Sequence, residues 1–357
     1  MRKESLKFLE ELLDAPSPSG YEQPAQRVFR DYVASYCDEL TTDVMGNVFG
    51  RISGKGKNLP RVMVVGHTDE IGLQIKYIDD KGFLYFAAVG GVDAHLTPGK
   101  RVAIHTANGA LPGVIGKKPI HLMDNKDRET VVKLESQYID IGAIDKKEAQ
   151  KLVRVGDAVT FESSFTRLQG DKVASRGFDD KAGCFVVAEV LRQVASSGKK
   201  LAVDLYGVSS VQEEIGLRGG TTSCYTINPD IGICVEVDFA TDQPDVEKKH
   251  NGEVALGNGP ILARGANINP HLFELLSKAA EKEKIAIQHT ASPRATGTDA
   301  NVMQISRGGV ATALVKIPLR YMHTPVETLS LKDLEDAASL IVATLGRITS
   351  REEFIPQ

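Results

Sequence analysis

The sequence predicts an α/β fold, one domain built from both ends of the chain and interrupted by a β-rich insert forming a small barrel or sandwich. Short, nearly all-apolar runs such as Arg61-Val62-Met63-Val64-Val65-Gly66 mark strands buried on both faces. Helical patterns alternate with such runs in both terminal parts. Between about Leu73 and Arg167 the texture changes to short β-rich runs punctuated by Gly, Pro and Asp, among them Leu84-Tyr85-Phe86, Val102-Ala103-Ile104 and Ala158-Val159-Thr160-Phe161. The expected division is 1–72 and 167–357 for the α/β domain, with 73–166 as the insert.

Taken in order, the first helix sets Leu6, Leu9, Leu12 and Leu13 at helical spacing and stops at Pro16-Ser17-Pro18-Ser19-Gly20. Glu10, Glu11 and Asp14 interrupt its apolar face, which is not the unbroken apolar core of a secretory leader. A second helix covers about Glu22 to Tyr36. Asp43 to Ile52 reads as a strand pair turning at Gly46-Asn47, and the Arg61–Gly66 strand follows. Beyond the insert come a helix over Lys181 to Ser196 and strands over Leu201 to Val211 and Asp230 to Val237. A helix over Pro270 to Lys284, a strand over Val310 to Pro318 and a helix over Leu331 to Thr349 complete the series.

A length of 357 residues suits about two folding units, and 42% hydrophobic with 25% charged residues is the balance of a water-soluble enzyme. The formal net charge of −4 gives no basic field for nucleic acid. No stretch approaches the roughly 18 apolar residues of a membrane span, so no membrane partner is expected. Cys37, Cys184, Cys224 and Cys234 show no CxxC pairing, which predicts reduced thiols and a cytoplasmic location.

Metal-capable side chains gather just beyond the carboxyl ends of the predicted strands, where open α/β sheets place their sites. His67 and Asp69 follow the Arg61–Gly66 strand; His67 offers a neutral nitrogen and Asp69 a hydrogen-bond acceptor to fix its ring. Asp179 and Asp180 open the next helix. Asp180 is the better capping residue, which leaves Asp179 free to bridge two cations. Glu213 and Glu214 end the Leu201–Val211 run, where adjacent carboxylates are costly unless a cation neutralises them. One can bind metal while the other serves as a base. Glu236 and Asp238 lie on one side of the Asp230–Val237 strand, and His323 follows the Val310–Pro318 strand. Two histidines and at least three carboxylates from different strand ends form the inventory of two divalent ions, Zn²⁺, Co²⁺ or Mn²⁺ rather than Mg²⁺, with Zn²⁺ or Co²⁺ the leading expectation.

These blocks, with Gly297-Thr298-Asp299-Ala300 and Ile317 to Glu327, resemble metallopeptidase family forty-two, the glutamyl and tetrahedral aminopeptidases, some of which carry an endoglucanase label. The resemblance covers essentially the whole chain. It implies a zinc-exopeptidase-like sheet flanked by helices, an inserted barrel that helps pack subunits, and hollow tetrahedral dodecamers. By that resemblance His67 and His323 each bind one metal, Asp179 bridges, Glu214 is a terminal ligand, Glu213 is the general base and Asp69 orients His67. The fifth ligand departs from the family pattern. The group usually has Asp in a Val-Asp-Val-Thr-like run, whereas this chain has Val235-Glu236-Val237-Asp238; alignment on the apolar run assigns Glu236 rather than Asp238. Gly297-Thr298-Asp299-Ala300 either brings backbone donors to the substrate carbonyl or is a tight turn before a helix.

The implied activity is aminopeptidase action on short peptides, with Glu213 taking a proton from a metal-activated water and returning it to the leaving amine. A deacylase or carboxypeptidase of the same architecture is the main alternative. A glycosidase fits poorly, because paired carboxylates suffice without histidines and the chain has no Trp and only 6% aromatics for stacking sugars.

Overall fold

The apolar run at Arg61–His67 buries six of its seven residues, which a strand achieves only inside a sheet covered on both faces. In the computed structural model, which describes residues 1–356, it lies in an eight-stranded mixed sheet. The order is Glu39–Thr42, Val48–Ile52, Asp204–Ser210, Arg61–His67, Ile231–Phe239, Ala311–Leu319, Ile261–Gly265 and Gln288–Ser292. Asp204–Ser210, Arg61–His67, Ile231–Phe239 and Ala311–Leu319 run parallel to one another. Their carboxyl ends therefore share one edge of the sheet, and residues far apart in sequence emerge there together.

Helices Lys3–Asp14, Gln23–Val33, Phe178–Ser196 and Leu331–Leu345 cover these strands, with Phe8, Leu9, Phe29, Phe185 and Leu334 in one continuous core. Contact between Phe178–Ser196 and the central strand is backbone against backbone. A Cβ on Gly66 would lie 2.5 Å from the Gly183 carbonyl carbon and 2.7 Å from Cys184 N, so only glycine fits. A further helix pair, Arg218–Ile227 and Asp299–Gln304, packs together and against the central strands.

Six strands close an antiparallel barrel in the order Gly72–Ile78, Leu84–Val89, Tyr138–Asp140, Gly109–Gly116, Arg101–Thr106 and Ala158–Phe161. Alternation turns Leu73, Ile75, Val102, Ile104, Ile139 and Val159 inward, giving the barrel a core separate from that of the large sheet. The barrel alternative of the sequence reading is therefore the one realised. Thr166–Arg167, Lys172–Ser175 and Glu327–Ser330 form a small antiparallel sheet.

Several expected boundaries move. The strand expected over Leu201 to Val211 is Asp204–Ser210, and the last helix ends at Leu345. The helix expected from Lys181 begins at Phe178, with Asp179 and Asp180 outside helical φ/ψ and joined by a cis peptide. Among the described residues, no helix is long and apolar enough to cross a membrane. All four cysteines are free thiols.

Candidate metal centre

His67 is the last residue of its strand and is 2% exposed. Its Nδ1 lies 3.0 Å from the Asp69 main-chain carbonyl and 3.4 Å from Asp69 Oδ1. A carbonyl accepts only, so Nδ1 carries the proton and the Nε2 lone pair faces away. Nε2 faces Asp179 Oδ1 at 3.3 Å, Glu236 Oε1 at 3.6 Å and Glu213 Oε2 at 3.7 Å.

His323 repeats the arrangement. Its Nδ1 lies 2.9 Å from the Gly91 carbonyl, and its Nε2 faces Glu214 Oε1 at 3.2 Å and Asp179 Oδ2 at 3.3 Å. Asp179 thus stands between the two imidazoles, one oxygen toward each. Gly91 belongs to the chain that leaves barrel strand Leu84–Val89, and a Cβ there would fall 2.9 Å from His323 Nδ1. The neighbouring Gly90 has φ +74°, and its Cβ would meet Glu214 Oε2 at 3.2 Å. Nothing in the sequence reading singled out this glycine pair.

Three carboxylates brace the centre from behind. Asp69 is 0% exposed; Oδ1 accepts Glu213 N–H at 3.0 Å, and Oδ2 accepts Glu214 N–H at 3.1 Å and the Ser19 hydroxyl at 2.6 Å. Its main effect is to fix the loop that presents both glutamates, while its main-chain carbonyl serves the His67 ring. Glu327 accepts Asp179 N–H at 3.0 Å and His323 N–H at 2.8 Å, tying the bridging residue to the second histidine. Asp180 accepts His67 N–H at 3.1 Å and Gly183 N–H at 2.9 Å. Its ligand atoms fall within 4.8 Å of those of His67 and Glu236, yet both oxygens are committed to backbone donors, so it caps rather than ligates. Glu327 closes the motif that carries His323, but the sequence reading gave it no role; its position four residues after His323 was the available signal.

Asp238, the rival to Glu236, turns to Lys316 instead, with Oδ2 2.6 Å from Nζ. Glu236 is 5% exposed and faces His67. Gly297 and Thr298 line the cleft, while Asp299 opens the Asp299–Gln304 helix with Oδ2 2.7 Å from the Ser210 hydroxyl. The segment therefore serves as both cleft wall and helix start.

The electrostatics ask for positive charge. Burial, joined by Glu236, Asp299 and Glu214, pushes Glu213 up to about 9 against the pull of His67. Burial pushes Glu236 up to about 7. Asp179 and Glu214 raise His323 to about 11; around His67, burial opposes and Glu236 with Glu213 overcomes it. Either a proton or a metal cation must stand between each Nε2 and its carboxylates. Glu214 Oε1 is buried and, despite its 3.2 Å approach to His323, has no hydrogen bond of acceptable geometry. Asp179, Glu214 and His323 converge with ligand atoms within 4.8 Å of one another. Imidazole nitrogen and carboxylate oxygen in this mixture suit Zn²⁺ or Co²⁺, so the residues fit the metals expected. The centre opens into a cleft of about 520 Å³ walled by Leu217, Val237, Phe239 and Met322.

Residues 46–340 match the family model described as M42 glutamyl aminopeptidase. The lysyl aminopeptidase of Pyrococcus furiosus is 37% identical over 96% of both chains. Among solved structures, the TET aminopeptidase from a marine sediment Thaumarchaeota archaeon superposes with a TM-score of 0.92 at 32% identity, covering 97% of this chain and 98% of that one. The Pyrococcus horikoshii TET1 peptidase, which can assemble into a tetrahedron or a large octahedral shell, gives 0.85 at 31% identity, over 96% of this chain and 100% of its own.

Proposed function

Since the chain belongs to the M42 glutamyl aminopeptidase family, we propose that it is a metal-dependent aminopeptidase releasing N-terminal residues from short peptides. Two divalent cations are held by His67, Asp179, Glu214, Glu236 and His323. The observation that carries this reading is Asp179, one oxygen toward His67 Nε2 and the other toward His323 Nε2, each at 3.3 Å. When bound, the cations supply Lewis-acid charge that acidifies water and polarises a carbonyl.

The protein's own residues do the rest. Glu213, 8% exposed and lining the cleft, takes a proton from water and hands it to the departing amine. Asp69 keeps Glu213 and Glu214 in register through their backbone N–H groups. Glu327 and the two ring-orienting carbonyls hold the imidazoles ready. A free α-amino group, which an internal peptide bond lacks, would be held beside the bound cations and so restrict cleavage to the N-terminus.

We further propose that the chain forms a closed homo-oligomer in the cytoplasm. The insert supports this with Ile120 and Leu122, 59% and 69% exposed. Light scattering in solution checks the assembly.

A panel of aminoacyl-p-nitroanilides, run beside N-acetylated peptides and before and after chelation, tests the activity. Release of anilide that stops on chelation and returns with Zn²⁺ or Co²⁺ is expected. Cleavage confined to N-acetylated substrates would replace the reading with that of a deacylase. Indifference to chelator would remove the metals.

A further inference from the structure

A second cavity, of about 260 Å³, lies outside the cleft between the Gln23–Val33 helix and the turn near Met45. It is smaller than the clefts that hold drug-sized ligands, so a small occupant suits it. A buried carboxylate, Glu22, and the Gln26 side chain stand at its wall. Glu22 is 2% exposed; the hydrogen bonds it receives from other residues, from Gly20 N–H at 2.6 Å and Gln212 N–H at 3.2 Å, both fall on Oε1, and Oε2 takes none. Gln26, one helical turn on and 5% exposed, donates from Nε2 to the Ser209 carbonyl at 2.9 Å while its Oε1 finds no donor.

An unpaired carboxylate oxygen at a cavity wall calls for an N–H donor, which an ammonium supplies. The rim carries the opposite charge. Arg27 is exposed and makes no ion pair among the described residues, and its planar fork matches a carboxylate. Met45, Val48 and Val211 supply an apolar wall between.

We propose that this cavity binds a free α-amino acid with an apolar side chain, its ammonium on Glu22 and its carboxylate on Arg27. Burial pushes Glu22 up to about 7, a cost that a bound ammonium relieves. The same carboxylate holds the N–H of Gln212, the residue before Glu213, so Glu22 links the occupant to the loop that carries the proposed base. That this occupant is also a reaction product rests on the aminopeptidase reading; the binding itself does not.

Crystals soaked in L-selenomethionine locate the site by anomalous scattering, and equilibrium dialysis with L-leucine measures it in solution. Expected is a selenium peak against Met45 and Val211, at least tenfold weaker leucine binding in Arg27→Ala at unchanged anilide turnover, and weaker binding in Glu22→Gln. A selenium peak in the catalytic cleft alone, or Arg27→Ala binding leucine as the parent does, overturns the proposal. A protein that shows the peak but cleaves no aminoacyl-anilide keeps this site and loses the proposed function.

Discussion

Replacing Glu70 by Gln should destabilise the fold by about 3 kcal/mol at neutral pH. Glu70 is 2% exposed and pairs with Arg176 and with Lys181, whose Nζ lies 3.0 Å from Oε1. It also accepts Ser17 N–H at 3.0 Å, and Arg176 and Lys181 reach on to the Asp14 and Ala15 carbonyls. Burial acts to raise the Glu70 carboxyl, but Arg176 and Lys181 prevail and lower it from 4.5 to about 2. At 1.36 kcal/mol per pKa unit that difference is worth about 3 kcal/mol. Removing one member of a buried ion pair typically costs about 3–5 kcal/mol, so the two routes agree. An exposed pair would give at most about 1 kcal/mol. Because the folded value is depressed, the contribution is complete above about pH 4.5 and fades as pH falls toward 2. Urea unfolding followed by circular dichroism, parent beside Glu70→Gln at pH 7, 5, 4 and 3, measures the gap. A gap below about 1 kcal/mol at pH 7, or one that does not narrow between pH 5 and 3, would refute the reasoning.

Glu213→Gln should retain bound metal by elemental analysis while turnover drops about 10²–10⁴-fold, the usual reach of a general base; near-normal turnover removes Glu213 from that role. Glu327→Ala frees the Asp179 and His323 backbones and should weaken metal affinity about 10–100-fold, read by competition with a chromogenic chelator. Gly66→Ala forces a Cβ to within 2.5 Å of backbone in the Phe178–Ser196 helix. A loss of about 1–3 kcal/mol or more in urea unfolding is expected.

Much of the centre was legible because parallel strands with apolar interiors must end at one edge. Whatever chemistry follows Gly66, Val211, Val235 and Pro318 then meets by topology. Elements with weak local signals were not legible. Arg218–Ile227 is a helix with Gly219-Gly220-Thr221-Thr222-Ser223 inside it, residues whose propensities argue against helix. Gln288–Ser292 shows no buried residue, as suits an edge strand, and carries no apolar alternation to read. Asp69 shows a subtler limit: its neighbourhood to His67 is visible in sequence, but its grip on Glu213 and Glu214 needs the strands side by side. Glu22 and Gln26, at the start of the second helix, carry no motif that would single them out in the sequence.

The Gly91 carbonyl gives the barrel a standing that its separate core conceals. Excising residues 73–166 would remove no proposed ligand and no strand of the large sheet, yet His323 would lose the acceptor that sets its tautomer. A graft of an unrelated barrel at the same place inherits the same defect unless it delivers Gly90-Gly91 to the same spot. The unit that positions the candidate centre is therefore not a contiguous segment; it is the sheet plus two glycines that follow barrel strand Leu84–Val89.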